Sequence, residues 1–370
     1  MLIEADMFIW DESPMAHKYL LEAFERSLRA LMNIEDETQY FANKIMILGG
    51  DFRQTLPFEP GALKPQILDM CIKSSRLWHL FTPSYKLTIN KRAEKDAEFC
   101  KILLEVGNGE KQALDEGEYK VPDECISNGN LKDEVFGDAI ELAKTNKSAG
   151  VKAMYYRKIL NPYNSDVIEI NNEVANMIIE ATNSETRTYI SIDEQGKDNT
   201  SKDDLLPTEV LNTITANELP LHEITLFEGA IVILIRNINL SEGLSNGTCL
   251  VVKKLERYRI EAEIISECPF KGKIVTIPRI SLESNESSKY PKFIRHQFPL
   301  KLAYALTINK SQGQTLDFVG LDLSKEAFAH GHLYTGMSRA QMSNRLKILI
   351  DLDKEESTVK NIVYKEVLED

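Results

Sequence analysis

Three features of this sequence predict an α/β chain built on parallel sheets and interrupted by a small all-β insert. Apolar strands end in acids or glycines and alternate with helices near the N-terminus. The same alternation returns after residue 154 and again after residue 300. Between them, short apolar runs separated by Gly, Asn and charged turns mark the insert.

Met7 to Trp10 reads as a strand ending in Asp11-Glu12. After the Ser13-Pro14 break, Leu20, Phe24, Leu28 and Leu31 recur at helical spacing. Lys44 to Leu48 reads as a buried strand that stops at Gly49-Gly50-Asp51. Glu94 to Val106 reads as a helix with Phe99, Ile102 and Val106 on one face. Residues 107–150, rich in Gly, Asp, Asn and Lys, read as loop with short helices. A second alternating unit begins near Met154, passes Asn161-Pro162 and continues as a helix through Val167, Ile170, Val174 and Ile178. Ala230–Ile235, Cys249–Leu255, Ile260–Ile265 and Ile274–Ile277 are the expected strands of the insert. Asn246-Gly247 is a hairpin signal, because a tight primed turn needs residues that tolerate positive φ. From Leu300 the α/β pattern resumes through Val319–Leu323 and Leu346–Ile350.

With 370 residues, the chain can hold two or three domains. Its longest apolar run, Ala230 to Ile235, is broken by Arg236, and Glu4 and Asp6 follow Met1 too closely for a leader, so the expected setting is intracellular with no membrane partner. Cys71, Cys100, Cys125, Cys249 and Cys268 are scattered without a C-x-x-C pair, which favours reduced thiols over zinc or a disulfide framework. The net charge of −13 argues against nucleic acid as a partner unless positive charge is gathered in a groove. It is gathered to a degree: Lys271 to Lys310 holds eight Lys/Arg against Glu283 and Glu286, a net +6. A solvated basic face and a strand groove both fit that count. For the groove, Lys292 and Arg295 are the candidates, with Lys202 in an Asp-rich loop as the contrast.

Phe8-Ile9-Trp10-Asp11-Glu12 matches a Walker B element, in which the Asp holds Mg²⁺ and the Glu polarises the attacking water; a structural strand end reads the same way. Gly49-Gly50-Asp51-Phe52-Arg53-Gln54-Thr55-Leu56-Pro57 follows at a second strand end, where Gln54 could sense a γ-phosphate or orient water. Arg92, in Leu87-Thr88-Ile89-Asn90-Lys91-Arg92-Ala93, is either a surface residue or a cation supplied to transition-state charge. Thr307-Ile308-Asn309-Lys310-Ser311-Gln312-Gly313-Gln314-Thr315 forms a turn suited to gripping phosphates. Tyr334-Thr335-Gly336-Met337-Ser338-Arg339-Ala340 offers a second finger at Arg339. A metal role for His330 and His332 lacks a third ligand nearby, so both read as structural or surface residues.

In this order and wording, the five segments resemble motifs two to six of superfamily-one DNA helicases of the Pif type, and more specifically the helicase part of Helitron transposon proteins. The resemblance runs from about Phe8 to Leu349, with G-A-I-V-I-L-I-R-N-I-N and N-P-Y-N-S-D-V-I-E-I-N also in the family's style. It implies two RecA-like parallel-sheet domains, the first incomplete, with a small β-barrel in the second. On that basis residues 1–92 belong to the first, 93–220 and 291–370 to the second, and 221–290 to the barrel. It also implies ATP and Mg²⁺ as cofactors, and single-stranded DNA or a DNA fork as partner. The activity would be five-prime to three-prime unwinding in repair, recombination, telomere maintenance or transposition, in the nucleus. Asp11 would bind Mg²⁺, Glu12 act as base, Gln54 sense the γ-phosphate, and Arg92 and Arg339 be the fingers. Gly50, Asp51, Gln312 and Gly313 would line the nucleotide, while Thr307, Lys310 and Ser311 would join Lys292 and Arg295 along the strand. One departure stands out. The family's G-x-x-x-x-G-K-[ST] loop precedes the Walker B strand, and no Gly-Lys-Ser or Gly-Lys-Thr occurs in these residues. An inactive or partial motor is therefore expected, with a non-catalytic strand-binding remnant as the alternative. A metal-dependent nuclease using Asp11, Glu12 and Asp51 would leave both arginines unexplained.

Overall fold

The computed structural model describes residues 2–82, 84–110, 117–195, 206–216, 218–284, 292–351 and 357–369; Lys202, Glu286 and Lys289 lie outside them. The chain packs as two compact units, one from 1–131 with 307–370 and the other from 132–306.

In the first unit, Met7–Trp10 and Ile45–Leu48 pair in parallel, residue for residue from Met7 with Ile45 to Trp10 with Leu48. The period of two along each strand sends Phe8, Trp10, Met46 and Leu48 to one face. There they pack against Leu21, Leu28, Phe41, Ala42, Ile72 and Leu77. The strand at Ile45–Leu48, expected to be buried, is half open: Met7, Ile9, Ile45 and Ile47 are 44–68% exposed on its other face. Helix Lys18–Leu31 covers the packed face with Leu21, Phe24 and Leu28, whereas Leu20 and Leu31 turn outward. The apolar stripe is thus rotated by one residue from its expected line. Helix Ala97–Asn108 is capped by the Asp96 side chain on the Phe99 N–H and ends at Gly109, whose φ of 66° suits glycine. A second parallel pair, Phe318–Leu323 with Leu346–Ile350, belongs to the same unit.

The second unit is mixed. Leu131–Thr145 is a continuous helix in what was expected to be mostly loop; Leu131, Val135, Phe136, Ala139, Ile140 and Ala143 are buried along one face. Helix Asn164–Thr182 follows strand Arg157–Asn161 and buries Ile170, Val174 and Ile178. Five antiparallel strands, in the order Ile274–Pro278, Arg259–Ile264, Cys249–Leu255, Ile231–Leu234 and Leu300–Leu302, form one sheet. Ile280–Glu283, Phe293–Gln297 and Ile192–Gln195 form another. Gly247 has φ 91°, as the Asn-Gly signal requires, but the turn closes a longer excursion from Ile235 to Thr248 rather than a two-residue hairpin. All five cysteines are free. No helix among the described residues is long and apolar enough to cross a membrane.

Candidate nucleotide site

The chain leaves strand Met7–Trp10 through a tight corner. Gly49 N–H donates to Trp10 O at 2.8 Å and Ser13 N–H to Gly49 O at 2.9 Å, so the two strand ends are stitched together. Gly50 has φ 154°, and a Cβ there would lie 2.1 Å from Pro14 Cδ, which only glycine avoids. The corner puts Glu12 at φ 52°, a left-handed conformation that costs an ordinary residue about 1 kcal/mol. Asp11 stays exposed, its Oδ1 accepting the Glu12 N–H at 2.9 Å.

Glu12 is the electrostatic centre. Burial raises the pKa of its carboxyl, the nearby Arg339 opposes that rise, Asp11 and Asp51 add to it, and Arg92 opposes it more weakly. Sequence-distant groups therefore converge: two acids from one strand end, a third from the next, and both candidate fingers.

The arginines are anchored. Arg92 donates from Nε to Thr315 Oγ1 at 2.9 Å and from Nη1 to Ser338 O at 3.0 Å. Arg339 is 1% exposed and donates to Thr335 O, Gln314 O and Ser338 Oγ. Burial first, then repulsion from Arg92, lowers its pKa to about 10. Two guanidiniums this close make a place that an anion would stabilise.

Asp51 is engaged rather than open to a ligand. Its Oδ1 accepts from Arg53 N at 3.0 Å and Arg53 Nη1 at 3.3 Å, and its Oδ2 accepts the Tyr334 hydroxyl at 2.6 Å. Gln54 is held from the other side: Gln312 Nε2 donates to Gln54 Oε1 at 3.2 Å, and Thr55 Oγ1 donates to Gln312 Oε1 at 2.9 Å. That chain leaves the Gln54 amide nitrogen as the group's donor. Gly313, with φ 73°, stands beside open space. Arg53, Thr55, Thr315, Tyr334 and Ser338 were not singled out from sequence. Each lies inside a motif quoted above, but the pairings of Thr55, Thr315, Tyr334 and Ser338 cross more than two hundred residues, and Arg53 reaches Asn108, so none leaves a local trace.

The expected strand-binding set needs correction. Arg295 is wholly buried and makes a bidentate pair with Asp193, at 2.9 Å from Nε and 2.7 Å from Nη2, plus bonds to the carbonyls of Leu211, Ile214 and Pro220. Every donor direction points inward, so it cannot meet a phosphate. Ser311 is also fully buried, with its hydroxyl on Ile308 O at 2.7 Å, and Thr307 is only 8% exposed. Lys292 pairs with Glu283 at 2.8 Å near the surface. Lys310 reaches solvent, and the protein crowding its ammonium lowers its pKa.

As for a metal, the described residues contain no group of three or more His, Cys, Asp or Glu side chains placed to hold one. Magnesium at a phosphate site, however, needs only one or two carboxylates besides phosphate oxygens and water. Asp11 fits that demand, whereas Asp51 does not.

Three family models match the chain: PIF1-like helicase over residues 1–117, the 2B domain of DNA helicase Pif1 over 209–255, and the UvrD-like helicase C-terminal domain over 302–346. The ATP-dependent DNA helicase PIF1 of Homo sapiens is 34% identical over 121 residues, covering 33% of this chain and 18% of that protein. Its counterpart in Danio rerio is 26% identical over 336 residues, covering 89% of this chain and 43% of that one. The chain therefore spans less than half the length of these relatives. In structure it is similar to the Pif1 helicase of Candida albicans, with TM-score 0.65, 22% identity, and 99% and 76% of the two chains covered. The Bacteroides Pif1 helicase in complex with ADP-AlF3 and ssDNA gives TM-score 0.64, 20% identity, and 99% and 75% coverage. These likenesses establish the α/β RecA-like architecture with β-rich insertions.

Proposed function

Because this chain belongs to the PIF1-like superfamily-one DNA helicases, we propose that its first unit carries the catalytic side of an ATP-driven DNA motor. The observation that carries this reading is the convergence of Asp11, Asp51, Arg92 and Arg339 on Glu12. Asp11 would hold Mg²⁺, which when bound screens phosphate charge. A half-buried carboxyl with raised pKa is suited to accept a proton from the attacking water. Gln54, fixed by Gln312, would present its amide nitrogen to the γ-phosphate. Arg92 and Arg339, mutually repelling until an anion arrives, would stabilise charge on the transferring phosphoryl group.

The partner in this reading is single-stranded DNA or a fork, tracked five-prime to three-prime. Nuclear residence and work in repair, recombination, telomere maintenance or transposition belong to the same reading. The phosphate-gripping Gly-Lys-Ser/Thr does not occur in these 370 residues, so we expect this polypeptide alone to release phosphate from MgATP at background rate even with single-stranded DNA. The second reading, a strand-binding remnant without catalysis, is favoured by the same feature. Joining the chain to a family phosphate loop separates the two. Turnover restored by the loop and abolished by Glu12→Gln supports the motor; no turnover with the loop folded in place supports the remnant.

A further inference from the structure

Among the phenylalanines of the described residues, Phe58 and Phe328 stand exposed, at 57% and 42%. They come from segments far apart in sequence, yet touch one another edge to face, with centroids 6.0 Å apart and planes at 63°. Phe328 in turn stands 4.9 Å from the His332 ring at 79°. Unlike the Phe pair, His332 is buried; its Nε2 meets Asn309 Oδ1 at 3.1 Å. The exposed pair thus rests on His332, which holds Asn309, the chain neighbour of the exposed Lys310.

The support beneath this surface is rigid. Gly331, with φ 71°, lies so close to the next segment that a Cβ would be 2.4 Å from Arg53 O. His330 Nε2 meets Phe52 O at 2.8 Å, while its Nδ1 accepts the Tyr364 N–H at 2.8 Å. The loop that leads through Gln54 to Phe58 is therefore clamped to the segment that carries Phe328.

Two exposed rings on a stiff base, with an exposed lysine next in the chain to the asparagine that His332 holds, match the chemistry of a stacked nucleobase followed by phosphate. We propose that Phe58 and Phe328 form a base-stacking platform for single-stranded polynucleotide, entered next to Asn309 and Lys310. This rests on the strand-binding reading above and deepens it by assigning the contact. A protein partner would satisfy the rings without a cation nearby, and the adenine of a nucleotide is separated from a strand by the test.

The test measures binding of the full chain to a thymidine oligomer, to an abasic strand of the same length, and to ATP. The wild type should prefer the thymidine oligomer over the abasic strand by about five- to a hundredfold. Phe58→Ala and Phe328→Ala should erase most of that preference while leaving abasic binding unchanged, and Phe58→Trp should keep it. Circular dichroism confirms that each variant is folded. An undiminished preference in the alanine variants, or equal losses on both strands, would overturn the platform. Loss of ATP binding with no change on DNA would reassign the rings to adenine and overturn it too. Failure of the wild type to bind either strand would overturn the strand-binding reading itself, and the platform with it.

Discussion

Glu12 sits in a left-handed conformation with its carboxyl half-buried among two other acids and two arginines. Local strain of this kind persists where surrounding structure fixes it. Since the folded pKa lies above the ordinary 4.5, the folded state holds this proton more tightly than the unfolded one. Glu12 therefore favours folding below about pH 4.5, and that contribution is lost as pH rises through the folded value. Glu12→Gln should flatten this part of the stability curve and leave the midpoint at neutral pH unchanged or higher; thermal melts across pH check it, and a lower neutral midpoint would contradict the account. The neighbouring Tyr334 hydroxyl bonds a charged acceptor, Asp51, so Tyr334→Phe should cost about 1–2 kcal/mol in denaturant unfolding. At this scale sequence served unevenly. Asp11, Glu12 and Gln54 were readable because each ends an apolar strand or glycine turn. Arg295 was misread because charge count carries no information on burial, and its partner Asp193 lies a hundred residues away.

Elements were legible wherever periodicity was clean. Met7–Trp10 is a strand because four apolar residues end in acids at a corner, and Asn164–Thr182 is a helix because Ile170, Val174 and Ile178 recur every four. Helix Leu131–Thr145 was hidden because Gly137 and its many polar residues resemble loop, while the buried set from Leu131 to Ala143 is decided by packing. The clamp between residues 330–332 and 52–54 left no sequence signal beyond a glycine. It can be tested there. Gly331→Ala adds a Cβ 2.4 Å from Arg53 O at a positive φ, so it should destabilise the first unit by about 2 kcal/mol or more, read by chemical denaturation. Gly313→Ala, beside open space, supplies the control with strain from φ alone. Equal losses in the two variants would show that the close approach contributes nothing.

Across the whole molecule the net charge of −13 opposes a polyanion, so any strand must be met by local cations. The +6 stretch overstates what is offered: Arg295 is spent on Asp193 inside the second unit, and Lys292 is paired with Glu283. Lys310, exposed on the first unit and next in the chain to Asn309, is the better placed cation. The salt dependence of binding to single-stranded DNA separates these roles, because each phosphate contact adds about 0.7 to the slope of log affinity against log salt. Lys310→Ala should lower that slope by roughly this amount. Arg295→Met should leave the slope alone but cost about 3–5 kcal/mol of stability, since it strands the fully buried Asp193 carboxylate. Adding Asp193→Leu to Arg295→Met should recover much of that loss, because the unpaired charge goes with it. A folded Arg295→Met chain with a flattened slope would put the guanidinium back on the strand and contradict the buried pair.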